Sequence, residues 1–263
     1  MLQGVNVGVQ TFPLENMLEH IPLLRRERKI YPQSVLLQSA DGRREFQLQY
    51  DQHKCLTPDQ ITRVQAQYAA QLAQEQNLHE IWDLGVGSGV FSTQLLLDAH
   101  DPAGMRVKGF DIDREALKIA DYNLNRLSSQ LGLPRDTYDL EHGDWLSGEP
   151  IPKHPHVDMI YANPPYLPPN TSIRPEFEGN PWHSLFAHED GMQHYRSIIQ
   201  QSQRHLKVGG YLFLRTSKKP ELAASVEGMV ARMMPASTVE PMRFQSEHRE
   251  GLGLLVRYYP SEV

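Results

Sequence analysis

Cysteine is almost absent. Cys55 is the single one among 263 residues, so no disulfide can form within the chain, and a reducing, cytoplasmic setting is expected. Long apolar runs are missing as well, and nothing approaches the roughly 20 residues that a membrane-spanning helix needs. Met1 to Thr11 has neither a basic segment nor an apolar core, so no signal peptide is expected. Positive charge is in deficit, with a formal net charge of -6, which restricts any nucleic-acid surface to a local basic patch. The densest such run, Leu23 to Lys29 (LLRRERK), reads most simply as the solvated end of a short helix. No Gly-x-Ser-x-Gly elbow is present, which argues against a serine nucleophile. Of the twelve histidines, His154 and His156 lie in a loop with no helical partner, and a lone Cys makes a thiolate-rich site untenable, so no metal is expected.

What is present fits an ordinary globular protein, 40% hydrophobic and 22% charged. Short helices are expected around Leu14 to Leu24. The stretches SVLLQS and EFQLQY alternate about Asp41-Gly42, the signature of a β-hairpin. Thr57 and Pro58 are placed to cap and open a helix running to Gln76. Strands and helices then alternate. Strands are expected at His79–Leu84, Arg106–Asp111, Tyr138–His142, Val157–Tyr161 and Gly210–Leu214. Helices are expected at Gly89–Ala99, Arg114–Leu131, Met192–His205 and Glu221–Met233. Thr238–Phe244 and Leu252–Tyr259 read as a closing antiparallel pair. This order predicts an α/β fold with a mainly parallel sheet covered on both faces. Residues 1–55 form a short extension carrying the hairpin, and residues 56–263 the main domain.

Between the first strand of that domain and its helix lies Asp83-Leu84-Gly85-Val86-Gly87-Ser88-Gly89. Its glycines let the backbone turn tightly beside a ligand at the helix N-terminus. Asp111 ends the next strand, where a carboxylate can hold the two hydroxyls of a ribose. Asp113 is the better placed cap for the helix after it. A pyrophosphate would be repelled by Asp83, whereas a cationic ligand would be attracted, which favours an adenosyl ligand with a sulfonium and an ammonium over a dinucleotide. Further on, His142-Gly143-Asp144-Trp145 offers an acceptor for an adenine amino group and a ring to cover its edge. A plain Gly-Asp turn beside a core tryptophan explains that segment almost as well.

Behind the apolar run Val157 to Ala162 comes Asn163-Pro164-Pro165-Tyr166. Two prolines stiffen the backbone at a strand's carboxyl end, where open α/β sheets hold their ligands. The Asn163 amide, the Pro164 carbonyl and the Tyr166 ring together suit a planar NH2 group. The loop from Leu167 to Asn180 is longer than a simple connection requires.

DLGVGSG, GFDIDREALKIADYN, HGDW and ANPPYLP, in that order, are similar to the class I S-adenosylmethionine-dependent methyltransferases. More narrowly they resemble the HemK/PrmC type of protein-glutamine N5-methyltransferase, which modifies peptide chain release factors. Glu178-Gly179-Asn180-Pro181, Leu185-Phe186, Asp190-Gly191 and Tyr195-Arg196 extend the likeness. The resemblance implies a Rossmann-like methyltransferase fold with S-adenosylmethionine as cofactor, bound by Thr57, Asp83, Gly85, Gly87, Asp111, Ile112, Asp144, Trp145 and Asn163. It implies that Asn163, Pro164, Pro165 and Tyr166 bind the target amide, with Asn163, Pro164 and Tyr166 at the reaction and a methyl-accepting protein as partner. Departures are the short segment before the hairpin, Ala187-His188 in place of a glycine pair, and Arg215-Thr216-Ser217 where a Glu-containing strand end is usual. Two alternatives remain at this stage: an adenine N6-methyltransferase acting on nucleic acid, and a catalytically silent cofactor-binding scaffold.

Overall fold

The structure, a computed structural model, describes residues 31–187, 191–247 and 249–260. The helices expected near Leu14 to Leu24, the basic run Leu23 to Lys29, His188 and Asp190 lie outside the described residues. The chain runs β1 (Gln33–Gln38), β2 (Glu45–Tyr50), α1 (Gln60–Gln76), β3 (Glu80–Leu84), α2 (Val90–Asp98), β4 (Arg106–Asp111), α3 (Arg114–Leu131) and β5 (Tyr138–His142). It continues β6 (Val157–Ala162), α4 (Trp182–Leu185), α5 (Gln193–Ser202), β7 (Leu206–Thr216), α6 (Pro220–Met233), β8 (Thr238–Gln245) and β9 (Glu250–Arg257). Among these helices none is long and apolar enough to cross a membrane.

Seven strands form one sheet in the order β5-β4-β3-β6-β7-β9-β8. Its first five strands are parallel, and β9 and β8 close it antiparallel. Side chains alternate between faces, and the two cores follow from that alternation. Ile81, Met159, Tyr161 and Phe213 face the core shared with α1, α2 and α3. Trp82, Leu84, Ile160, Ala162, Leu212 and Leu214 face the core shared with α5 and α6. Each central strand is therefore apolar on both sides, as a doubly covered sheet demands.

The hairpin β1–β2 is a separate two-stranded sheet. Gly42, at φ 69°, supplies the left-handed turn residue. The hairpin rests on α3 through side chains of that helix: Asn123 Nδ2 donates to the Gln49 carbonyl at 2.7 Å, Arg126 Nη1 to that of Gln47 at 3.0 Å, and Gln130 Nε2 to that of Glu45 at 2.7 Å. Leu37, Phe46 and Leu48 join the first core.

Several boundaries differ by one to four residues from those read in the sequence, and two of the differences have a visible physical cause. Helix α1 begins at Gln60, and its cap is Asp59 rather than Thr57: Asp59 Oδ1 accepts from the Ile61 N–H at 2.8 Å and the Thr62 N–H at 3.0 Å. The reason is distant in sequence. Arg215 Nη1 holds the same carboxylate at 2.9 and 3.1 Å, which fixes it beneath the helix end and favours Asp59 over a hydroxyl. Strand β7 begins at Leu206, four residues before the expected Gly210, because the chain bulges there. Val157 pairs with Leu206 but Met159 pairs with Tyr211. A Cβ at Gly210 would lie 3.0–3.1 Å from three backbone carbonyls, tighter than ordinary contact, which favours glycine at the bulge.

The apolar run of β6 contains one acid, Asp158, and it has a structural task. Its Oδ2 accepts from the His79 N–H at 2.7 Å and the Glu80 N–H at 2.8 Å, at the start of β3, and Lys207 pairs with it. Burial opposes the charge, but Lys207 and the two amide donors outweigh it and hold the carboxyl below its ordinary range. Asp158→Ala should therefore destabilise the protein by about 2 kcal/mol in urea unfolding at pH 7, through the stranded N–H groups. A group whose folded pKa is depressed stabilises above its unfolded pKa. The wild-type advantage should accordingly fade as pH falls below about 4.

Candidate active site

Parallel pairing aligns Leu84 with Ala162 on one side and with Phe110 on the other. Neighbouring strands lie about 4.8 Å apart, so the next residues in each chain, Asn163, Gly85 and Asp111, leave the sheet side by side. The chain runs outward from β3 through β4 to β5, then returns to β6 and continues the other way. The gap between β3 and β6 is thus the switch point, where sheets of this kind open a crevice at their carboxyl edge. Two cavities open there.

The first, of about 200 Å³, is lined by Gly85, Gly87, Asp111, Ile112, Asp144, Trp145 and Asn163, and also by Pro165, which the sequence reading put on the substrate side. The glycine loop is tied to β4, since the N–H groups of Gly85 and Val86 both donate to the Phe110 carbonyl at 2.8 and 2.9 Å. Asp111 is locked in the same way. One oxygen accepts from the Gly87 N–H at 2.8 Å and the other from the Asp113 N–H at 2.9 Å. Burial raises its pKa, while these two bonds act against that shift and leave lone pairs facing the cavity. Trp145 takes φ 54°, a costly value for a bulky residue, and its ring lies 3.5 Å from where a Gly85 Cβ would be. His194 meets the same ring edge-on at 5.5 Å. Ile112 is 57% exposed at the cavity, an apolar surface suited to a flat ring.

Two expected cofactor residues do not line this cavity. Thr57 instead donates its N–H to Asn180 Oδ1 at 2.6 Å, anchoring the long loop. Asp83 faces away from the ligand side. On β3 it shares the face of Ile81, beneath α2, where its carboxylate accepts from Ser92 Oγ at 2.6 Å. The reading of Asp83 as a direct partner for a cationic ligand is corrected accordingly: strand alternation turns it into the core, and burial pushes its pKa up to about 7.

The second cavity, of about 270 Å³, is lined by Asn163, Pro164 and Tyr166, together with Arg215, Thr216 and the turn that follows. Asn163 and Ser184 line both cavities. The proline turn is braced from behind. Gly191 has φ 69°, and a Cβ there would lie 2.8 Å from the Tyr166 carbonyl oxygen, so no larger residue fits. Tyr195 Oη donates to the Arg215 carbonyl at 2.8 Å. The loop after Tyr166 folds back, with Leu167 bridged to Phe186, and presents Trp182, His183, Ser184 and Phe186 to the first cavity. His183 Nε2 lies 3.4 Å from an Asp113 oxygen. Phe186 belongs to the Leu185-Phe186 segment that the resemblance marks, and Asn180 of Glu178-Gly179-Asn180-Pro181 anchors the same loop; Trp182, His183, Ser184, Lys54, Cys55, Leu56 and His194 carry no site assignment in the sequence reading. Burial pushes the Cys55 thiol up to about 12, so it lines the cavity as an inert apolar group.

No protein-family model matches the chain. Among curated proteins, it is 34% identical over 137 residues to a release factor glutamine methyltransferase of Gloeobacter violaceus, spanning 50% of this chain and 43% of that protein. It is 30% identical over 158 residues to a release factor glutamine methyltransferase of Caulobacter vibrioides, spanning 59% and 51%. A bifunctional methyltransferase of Rickettsia felis is 31% identical over 151 residues, 56% of this chain and 26% of that protein. The chain thus spans about half or less of the length of these relatives. Among solved structures, the human Mettl16 catalytic domain bound to an RNA hairpin superposes with TM-score 0.60 at 17% identity, over 82% of this chain and 79% of that one. An O-methyltransferase from Bacillus cereus superposes with TM-score 0.52 at 12% identity, over 78% and 93%.

The fold is that of the class I methyltransferases. In sequence the chain resembles the release factor glutamine methyltransferases within it. Within this methyltransferase fold the buried Asp83 has a measurable signature. Between about pH 4 and pH 7 the folded state keeps a proton that the unfolded chain has released, so stability declines as pH rises through that window. Asp83→Asn cannot ionise. Denaturant unfolding across pH 4–8 should show the variant gaining on the wild type up to about pH 7 and holding a constant margin above it.

Proposed function

We propose that the chain is an S-adenosylmethionine-dependent N-methyltransferase whose acceptor is a planar amide nitrogen, the side chain of a protein glutamine. The observation that carries this reading is the position of Asn163, the boundary residue between a cavity suited to an adenosyl group and a second one open to an acceptor. The release factor glutamine methyltransferases among its sequence relatives support the choice of amide.

The first cavity fits the cofactor by its donor set. Asp111 offers a fixed carboxylate to a ribose diol, Ile112 and Trp145 offer apolar surface to the adenine, and Asp144 an acceptor to its amino group. At Gly87 nothing lies nearer than 3.9 Å to the place of a Cβ, which leaves that backbone open to a close approach. Among the described residues Lys54 is the one Lys or Arg lining the cavity, which suits a ligand without phosphates. When bound, S-adenosylmethionine supplies an electrophilic methyl group.

The protein's part is to orient and polarise. The Asn163 side chain makes no hydrogen bond with the described residues, so its amide oxygen is free to accept one N–H of the acceptor, and the Pro164 carbonyl accepts the other. Both bonds draw the NH2 plane into a fixed direction and raise electron density on a nitrogen whose lone pair is otherwise delocalised. Tyr166 covers the flat face of the group. Phe186 and Trp182, at the first cavity, limit access of water.

Asn163→Ala should bind S-adenosylhomocysteine within about threefold of wild type and lose at least ~100-fold in methyl transfer; full transfer by this variant would refute the mechanism. Asp111→Ala should weaken S-adenosylhomocysteine binding by at least ~10-fold in calorimetry, through loss of hydrogen bonds to the diol. The acceptor is tested by incubating the protein and labelled S-adenosylmethionine with cell extract. Label on a protein glutamine supports the proposal, label confined to RNA or DNA replaces the amide with a base amino group, and cofactor binding without any transfer identifies a silent scaffold.

A further inference from the structure

Among the described residues five cations line the second cavity, and one differs from the rest. Arg174, Lys218 and Lys219 are exposed and Arg249 is half-buried, whereas the Arg215 side chain is only 13% exposed. Its place follows from the sheet. Parallel pairing aligns Ala162 of β6 with Leu214 of β7, so the next residues, Asn163 and Arg215, stand side by side at the carboxyl edge, their backbones about 4.8 Å apart. Arg215 lies two positions beyond Phe213 and turns to the same face, where it meets the start of α1. Tyr195 Oη donates to its carbonyl at 2.8 Å.

The way Arg215 meets Asp59 leaves part of it unused. An arginine committed to one carboxylate commonly offers two nitrogens to the two oxygens, fork to fork. Here Nη1 alone reaches both oxygens of Asp59, at 2.9 and 3.1 Å, and Thr62 Oγ1 at 3.3 Å. Nε is sealed without a partner among the described residues and can reach no ligand. Nη2 also makes no hydrogen bond with the described residues, but it keeps accessible surface. A charged donor is therefore left at the wall of the cavity that Asn163 also lines.

A primary carboxamide has three polar groups in one plane, two N–H donors and a carbonyl oxygen. Asn163 Oδ1 and the Pro164 carbonyl take the two N–H groups. The oxygen, once out of water, needs a donor of its own. We propose that Arg215 supplies it: Nη2 binds the carbonyl oxygen of the acceptor amide, and this residue selects a carboxamide over an alkylamine. The inference rests on the amide reading given above. Three in-plane hydrogen bonds would fix the group and leave one flat face to Tyr166 and the other to the methyl donor. An alkylammonium in the same place offers Nη2 no oxygen and sets a positive charge against a guanidinium with little water to screen it.

The test is independent of methyl transfer. The N-acetyl methylamides of glutamine and of ornithine, which differ in their side chains by a carboxamide against an aminomethyl group, are titrated into the full chain saturated with S-adenosylhomocysteine. Amide NMR shifts at Asn163, Tyr166 and Arg215 report binding. The glutamine derivative should saturate, and the ornithine derivative should bind at least ~10-fold more weakly. Arg215→Lys keeps a cation opposite Asp59 but has no second fork nitrogen. It should bind the glutamine derivative at least ~5-fold more weakly while S-adenosylhomocysteine affinity stays within about twofold, a split that a purely structural role for Arg215 would not produce. No saturable binding of the glutamine derivative to the wild type, equal affinity for the ornithine derivative, or undiminished glutamine affinity in a folded Arg215→Lys protein would each overturn the proposal. The first two outcomes need no variant, so they decide the matter if Arg215→Lys does not fold. Loss of the glutamine derivative in Asn163→Ala but not in Arg215→Lys would remove Arg215 from the site and leave the amide reading standing.

Discussion

A carboxylate at the far end of the sheet decides what meets at its working end. Asp158 binds the first two amides of β3 from within β6, and this clamp sets the register in which Ile81 faces Met159 and Leu84 faces Ala162. A slip by one residue would turn every side chain to the opposite face and put Asp83 into the wrong core. It would also carry Asn163 about 3.3 Å along the strand from Gly85, far enough to uncouple the two cavities that Asn163 now divides. The cost of burying one charge is offset by two amide donors and Lys207, and the return is positional.

A second buried charge pair works at the other boundary. Arg215 lies one residue before the end of β7 and reaches Asp59, which caps α1. The pair links the lining of the second cavity to the start of α1, a few residues beyond the segment Lys54 to Leu56 that lines the first. The loop after Tyr166 makes a parallel connection, since Asn180 accepts from Thr57 and His183 approaches Asp113 at the start of α3. Both cavities are therefore built from the same few supports. Displacing the 167–187 loop would open the two together.

Local chemistry was legible in the sequence, and orientation across elements was not. The glycine turn, Asp111 and the two prolines could be placed because strand ends and tight turns are governed by residues a few positions apart. Asp113 as a cap followed from the same short-range logic and is found so, with its carboxylate accepting from Glu115 N–H. Asp83 could not be oriented without knowing which face of β3 α2 covers. Thr57 lost the cap to Asp59 because of an arginine 156 positions away. The wall formed by Trp182, His183 and Phe186 comes from a loop with little periodicity to read, and the cations of the second cavity are drawn from three separated segments that only the closed sheet brings together.

What the two cavities share also limits how they can work. The residues common to both are an amide, Asn163, and a hydroxyl, Ser184; neither is a base near neutral pH. Of the strongly shifted groups nearby, Asp83, Tyr161 and Tyr195 are buried in hydrogen bonds of the scaffold and line neither cavity, Cys55 lines the first with its thiol pushed up to about 12, and Arg215 lines the second with its guanidinium held charged beside Asp59. Under the proposed reading, acceleration must therefore come from holding a planar NH2 group in line with the methyl donor, and well-oriented intramolecular reactions show that placement alone reaches effective molarities of about 10⁵–10⁸ M. Such a site needs rigidity more than reactivity. The paired prolines, the glycine at 191 that admits no side chain, and a register locked by Asp158 supply it.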